Sequence, residues 1–480
     1  MNKITGKVFA QNAIWKFLEL FGAQGITLIL AVILARILAP GDYGIISLTM
    51  IFVSFSDILV QGGFYTVLVQ KKEVADADYS AANYLSLIFA FLLYSANFYF
   101  SSIIAKYYTI PLLESVLKTV AVTLFFNAFS VVLSARLVRG LQFQKLFYVR
   151  MLSAVISGIL GIWLAYSGYG VWSLVWQKFA QQLLFALLLV VVTGKIPIMF
   201  FPVERAKVLM ANGLQVLSGV MVAFLGDSLY GVTVGKAYSP ESLGFLDKGD
   251  QLPKGLILNA NAAIVGVTLP TLSFYQGDLI LLKRAVRRII RVSCYVIFPL
   301  SIGLAASSNL LIRILLTEKW IYSTPVMQLS CFFYATATIL QIQTQVFYSI
   351  GKNGVRTALE SFKLIITIVL VPCAVFILGF HIYLLMALKV GISIGMIMIT
   401  ALFSKKYIDY NLAELFSDVV PAFCLSVLMV IPVISIPLFG FPDLVTLLLE
   451  GITGILVYVF LSIRFNVSAF FELKELLKRN

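Results

Sequence analysis

A few charged and amide side chains stand where the chain is otherwise apolar. Asp57 and Asp227 each interrupt a hydrophobic run, as do Lys16 with Glu19, Lys178 with Gln181 close by, and Lys389. A buried carboxyl group can take up a proton or a sodium ion, because an isolated charge is costly in apolar surroundings. An ammonium group can raise the local potential and draw in an anion. Each residue also has a plainer reading. The aspartates can serve as helix–helix hydrogen-bonding groups, and the lysines can reach out to the membrane surface. Lys16 and Glu19 are three apart, share one helix face and can pair there.

Other chemistries are excluded. His381 is the sole histidine, so a metal centre is not expected. Cys294, Cys331, Cys373 and Cys424 all lie in apolar runs, where thiols pack rather than react. The stretch Gly231-Val-Thr-Val-Gly235-Lys236-Ala237 superficially suggests a phosphate loop. That loop needs glycine where Tyr230 stands and Ser or Thr where Ala237 stands, so no nucleotide and no cofactor is expected. The net charge of +14 is spread over short connectors, which speaks for membrane topology and against nucleic acid as a partner.

The elements that carry these residues follow from composition. The chain has 480 residues, 60% hydrophobic and 12% charged. A soluble domain carries about 25% charged residues, so this chain cannot cover a water-soluble globule. Its apolar runs are roughly 20 residues long, the length that crosses about 30 Å of hydrocarbon as a helix. They lack the alternation of a barrel strand. The expectation is an all-α membrane protein with about 14 transmembrane helices. The first six spans are Gln11–Leu38, Gly44–Val60, Asn83–Ile104, Thr119–Ala135, Leu152–Ser167 and Val171–Val192. The next six are Ala211–Gly235, Gly255–Ser273, Val292–Leu316, Pro325–Ile350, Leu364–Gly379 and Ile382–Phe403. Val419–Pro437 and Leu444–Ile463 complete the set. Most of the 36 Lys and Arg residues then fall on the side of the N-terminus, which predicts that both termini are cytoplasmic. Trp172, Trp176, Trp320 and Tyr383 fall near the outer boundary, where an aromatic belt is expected. The tail, Asn466–Asn480, reads as a short interfacial helix.

The chain also repeats itself. Arg36-Ile-Leu-Ala-Pro40-Gly-Asp-Tyr-Gly44 matches Lys236-Ala-Tyr-Ser-Pro240-Glu-Ser-Leu-Gly244 in its basic residue, proline and glycine. Gly168, Val171 and Lys178 match Gly379, Ile382 and Lys389. These pairs relate the first helix to the seventh and the sixth to the twelfth, a parallel repeat. The expected organisation is an N-lobe at 1–207, a C-lobe at 208–410, and two further helices with the amphipathic tail at 411–480.

Several stretches carry a family resemblance. They are Leu34-Ala-Arg-Ile-Leu-Ala-Pro-Gly-Asp-Tyr-Gly44, Gly63-Phe-Tyr-Thr-Val-Leu-Val-Gln70, Arg139-Gly-Leu-Gln-Phe143, Gly170-Val-Trp-Ser-Leu-Val175 and Leu315-Leu-Thr-Glu-Lys-Trp320. With Asp57, they resemble the Wzx-type polysaccharide exporters, in particular the colanic-acid and teichuronic-acid exporter branch of the multidrug/oligosaccharidyl-lipid/polysaccharide (MOP) superfamily. Phe245-Leu-Asp-Lys-Gly249 departs from the family pattern. The resemblance implies two pseudo-symmetric six-helix lobes around a central cavity in a bacterial inner membrane. It implies alternating access and an undecaprenyl-diphosphate-linked glycan as substrate. A polysaccharide polymerase or other assembly protein would be its partner.

On that footing Lys16, Lys178, Lys389 and Gln181 become candidate cavity residues for an anionic glycolipid. Asp57, Asp227 and Glu19 become candidate ion-coupling residues. Gly213, Gly219, Gly226, Gly231 and Gly235 punctuate the helix of Asp227, which permits bending or close packing. An enzyme is not expected, since no external loop is long enough to hold an acceptor. The alternative function is a small-molecule, multidrug-type ion antiporter of the same superfamily, whose pocket would be smaller and acidic or apolar.

Overall fold

A computed structural model describes residues 15, 22, 25–71, 73–194, 202–275 and 277–472, apart from side chains at 215, 218, 263, 265–267, 269–271 and 353. The described residues are helical throughout, with no strand among them. Eleven helical segments are long and apolar enough to cross a membrane, and a bent pair, Val203–Leu214 with Gly219–Ala237, makes a twelfth. The shorter apolar helix Gly25–Ile37 coincides with the end of the first expected span. The eighth expected span falls on Pro240–Phe274, which begins with Asp247, Lys248, Asp250 and Lys254 in its first half. Most of the first half of the first span, with Lys16 and Glu19, lies outside the described residues.

The chain forms two compact units, Met1–Gly244 and Phe245–Asn480. The first begins with α1 (Gly25–Ile37), α2 (Pro40–Gln61) and α3 (Phe64–Gln70). It continues through α4 (Asp76–Tyr108), α5 (Leu112–Ala121) and α6 (Thr123–Arg139). It ends with α7 (Phe143–Tyr166), α8 (Val171–Thr193) and α9 (Val203–Ala237). Lipid gives helices no hydrophobic reason to associate, so they meet where small residues let backbones approach. Thus α4 buries Ser80, Ala81, Ala82, Ser86, Ala90 and Ala105. α2 packs on α4 and α9, and α7 on α8.

Two breaks in this unit abut. Gly62 and Gly63 adopt φ +52° and +72°, a conformation that costs a side-chain-bearing residue energy, and they separate α2 from α3. A Cβ on Gly63 would stand 2.6 Å from the carbonyl oxygen of Gly213, and one on Gly213 would strike the carbonyl of Gly62. Just beyond Gly213, α9 bends by 49° between Leu214 and Gly219. The glycine-punctuated helix is therefore bent, and Gly231 and Gly235 serve close packing against Ile51 and Leu48 of α2.

The repeat motifs meet as well. Pro40 starts α2 and Pro240 starts α10 (Pro240–Phe274), each at a helix N-terminus where its missing N–H is harmless. The α-carbon of Gly44 lies against the carbonyl of Pro240, and that of Gly244 lies against the carbonyl of Pro40. Equivalent residues thus contact each other reciprocally, as they do across a local two-fold relation.

The second unit continues with α11 (Leu279–Ala306), α12 (Ser308–Leu316) and α13 (Thr324–Ser349). α14 (Asn353–Pro372), α15 (Ile382–Ile408), α16 (Leu412–Ser435) and α17 (Asp443–Arg464) follow. α11 packs on α13 and α16, α13 on α15, and α16 on α17. Pro299 inside α11 cannot donate to the carbonyl of Tyr295, and the Tyr458 hydroxyl of α17 donates to it instead, at 2.9 Å. The Tyr295 hydroxyl in turn donates to Ser462, so α17 is fixed to α11 at the proline. Trp320 is fully buried, edge-on to Phe245 at 6.0 Å, and is a core residue rather than part of a belt.

Candidate functional site

In the first unit the membrane-embedded polar group with a built environment is Asp57. The Asn127 amide of α6 donates to its Oδ1, and Gln61, one turn on, donates to Oδ2 at 3.5 Å. Neighbouring Ser56 accepts a bond from Asn97 of α4 at 2.7 Å, so α2, α4 and α6 are joined by side-chain amides within apolar surroundings. Asp57 is half-buried. Asp227 has a different setting: it is exposed on α9, one turn before the buried Tyr230.

Lys178 is exposed on α8 and Gln181, three residues on, is half-buried. Gln177 packs its stem toward Gly161 of α7, where a Cβ would stand 2.9 Å from its own. It therefore belongs to the α7–α8 contact and not to the Lys178 face. Phe179, the residue after Lys178, lies edge-on to Phe126 of α6, 5.3 Å between centroids.

In the second unit Lys389, half-buried on α15, holds its ammonium 4.2 Å from the centre of the Phe333 ring on α13. The ring face carries part of the cost of burying this charge. α13 also faces Asp250, which accepts from the Ser330 and Tyr334 hydroxyls at 2.8 Å each. This carboxylate was not singled out from sequence. The signal was Ser330 and Tyr334 at i and i+4 on one helix face. Nearby Lys248 is buried and donates to Gln251 at 2.9 Å.

A second set, also unforeseen, lies at the start of α11. Lys283, Arg284, Arg287, Arg288 and Arg291 stand in the connector between the expected spans Gly255–Ser273 and Val292–Leu316, but α11 begins at Leu279 and makes them helical. Arg287 clasps Asp418 of α16 through Nε at 2.8 Å and Nη2 at 3.0 Å, and Arg291 reaches the same carboxylate at 3.2 Å. Arg291 also binds Glu472 of the tail at 2.7 Å, and Lys283 binds Glu414 at 3.0 Å. The Tyr410 hydroxyl donates to Asp418. Burial pushes the Tyr410 phenol well above its usual range, and the Asp418 charge acts the same way. The set holds α16 and the tail to α11. Of the expected interfacial helix, residues through Glu472 are described, and Ala469 and Phe470 pack with Tyr295 and Tyr458.

This arrangement has the fold of MOP-superfamily transporters. The structure resembles the lipid II flippase MurJ in an inward closed conformation, with a TM-score of 0.72 over 94% of this chain and 99% of that one, at 15% identity. It resembles an inward-facing multidrug resistance MATE transporter less, at 0.59 over 80% and 94%, with 14% identity. Residues 33–325 match the family model described as polysaccharide biosynthesis protein, and the chain belongs to that family. It is a multi-pass membrane protein, as its apolar helices require.

Among curated relatives, the succinoglycan biosynthesis transport protein ExoT of Rhizobium meliloti is 22% identical over 68% of this chain and 66% of its own length. The teichuronic acid biosynthesis protein TuaB of Bacillus subtilis is 22% identical over 57% of each. The lipopolysaccharide biosynthesis protein WzxC of Escherichia coli is 21% identical over 67% of this chain and 65% of its own. The chain therefore spans just under two thirds of the length of these relatives, or less.

Proposed function

We propose that the chain is a flippase that carries a lipid-linked oligosaccharide from the cytoplasmic to the outer leaflet for cell-surface polysaccharide biosynthesis. Membership of the polysaccharide biosynthesis family over residues 33–325 carries this reading. The fold shared with a lipid II flippase over nearly the whole chain supports it. The carrier is undecaprenyl diphosphate, and the protein makes and breaks no covalent bond. It lies in the bacterial inner membrane with both termini in the cytoplasm, as the distribution of Lys and Arg favours.

The lobes are residues 1–207 and 208–410, with residues 411–480 appended, and they rock about a cavity between them. The reciprocal contact of Gly44 and Gly244 with the opposite proline carbonyls is where such lobes would separate. Lys16, Lys178, Lys389 and Gln181 attract and hold the acidic glycolipid. Asp57, with Asp227 and Glu19, takes up the coupling ion, a proton or sodium. The Asn127 and Gln61 donors around Asp57 support that role, since they can hold its carboxylate in either state. A polymerase or assembly protein receives the exported glycan.

The test is removal of the chain from its native cell. Loss of surface glycan, with the lipid-linked precursor accumulating and restored by the plasmid-borne chain, is the expected result. Normal surface glycan with altered resistance to cationic drugs would favour the multidrug antiporter instead.

A further inference from the structure

A cavity of about 470 Å³ opens in the second unit between α11, α16 and α17, within the range of small-molecule sites. Its walls are apolar, with Leu300, Leu304, Met429, Val433 and Ile455 prominent. Its volume comes from residues without bulk: Gly303 on α11, and Gly451 and Gly454 on α17. The Tyr458 hydroxyl, also in the wall, is already committed to the carbonyl that Pro299 leaves free. That bond fixes α17 against α11 beside the proline.

One charged side chain lines this cavity, Glu450, at 5% exposure. Its Oε2 is buried and has no hydrogen-bond partner. A carboxylate in an apolar wall is costly unless a donor or a cation answers it. Glu450 stands seven residues beyond the start of α17 at Asp443, about 10 Å along the helix at about 1.5 Å per residue. A ligand must therefore carry its donor directly on an apolar body to reach it. The same carboxylate disfavours an anionic head group in this cavity.

We propose that this cavity binds a lipophilic ammonium ion, with its apolar body against α11, α16 and α17 and its N–H groups on the Glu450 carboxylate. A charge-assisted bond of this kind is about twice as strong as a neutral one, so the ammonium should be preferred over an uncharged head group of the same chain. This proposal does not depend on what the protein transports.

The test uses the full chain in phosphatidylcholine nanodiscs, with empty nanodiscs as the baseline. Dodecylammonium, dodecanol and dodecanoate are titrated and the rise in unfolding temperature is followed. Dodecylammonium should bind about tenfold more tightly than dodecanol, and dodecanoate least. Glu450→Gln should abolish that preference and leave dodecanol binding unchanged. Gly303→Leu, which fills the cavity from the opposite wall, should weaken the ammonium and the alcohol together. Equal binding of the two, a preference that survives Glu450→Gln, or ammonium binding untouched by Gly303→Leu would overturn the proposal. Repeating the titration with phosphatidylethanolamine nanodiscs separates the sources. Competition means that a lipid head group supplies the ammonium, and its absence means a free amine.

Discussion

Gly44 and Gly244 meet backbone to backbone, so that a Cβ on Gly244 would stand 3.4 Å from the Gly44 nitrogen and against the Pro40 carbonyl. A main-chain carbonyl cannot swing aside as the end of a long side chain can. Gly44→Ala or Gly244→Ala should therefore force the two helix starts apart, at a cost of about 1–3 kcal/mol. Loss of export at normal abundance is expected from either. Gly41→Ala is the control, because its nearest neighbour is the movable Glu241 side chain at 3.4 Å. Equal effects at positions 41 and 44 would contradict the contact.

Asp57→Asn should slow flipping without lowering the amount of protein, because the amide still bonds to Asn127 but takes up no ion. Asp227→Asn tests the exposed carboxylate in the same assay. Surface glycan at matched expression is the measurement, and full export by the double variant would remove both from ion coupling.

For Lys178 and Lys389, replacement by glutamine and by glutamate separates attraction of an anion from snorkelling. If these ammonium groups attract an acidic glycan, glutamate should export less than glutamine at each position, and the double glutamate variant least. Near-normal export from all variants would remove both ammonium groups from glycan attraction.

Asp418→Ala leaves Arg287 and Arg291 facing each other without their shared carboxylate. Breaking a buried pair costs about 3–5 kcal/mol, and less here because both arginines reach solvent. A clear fall in unfolding temperature in detergent is expected, with a smaller one for Glu472→Ala. No change would show that α16 and the tail are held by apolar packing alone.

The difference between what the sequence displayed and what it hid has physical causes. Long apolar runs announce membrane helices by length alone, and the repeated proline and glycine marked equivalent places in the two repeats, although α2 and α10 begin at those prolines, ahead of the expected starts at Gly44 and Gly255. Asp57 was legible because a charge inside an apolar run has few explanations. The Asp418 set was hidden because its members come from α11, α16 and the tail, and only packing brings them together. Asp250 was hidden for the same reason: its donors stand on α13, far along the chain. Glu450 also falls within an expected span, Leu444–Ile463, but was not singled out, and only the cavity beside it distinguishes it.

The central claim concerns which leaflet the glycolipid occupies. The purified chain is reconstituted into vesicles with lipid-linked glycan extracted from its native cells, and a membrane-impermeant glycosidase is added outside. With the chain present, the enzyme should come to digest nearly all the glycan; without it, only the outer-leaflet half should be digested, and Asp57→Asn should lie between. The same outer-leaflet fraction with and without the chain would contradict the account.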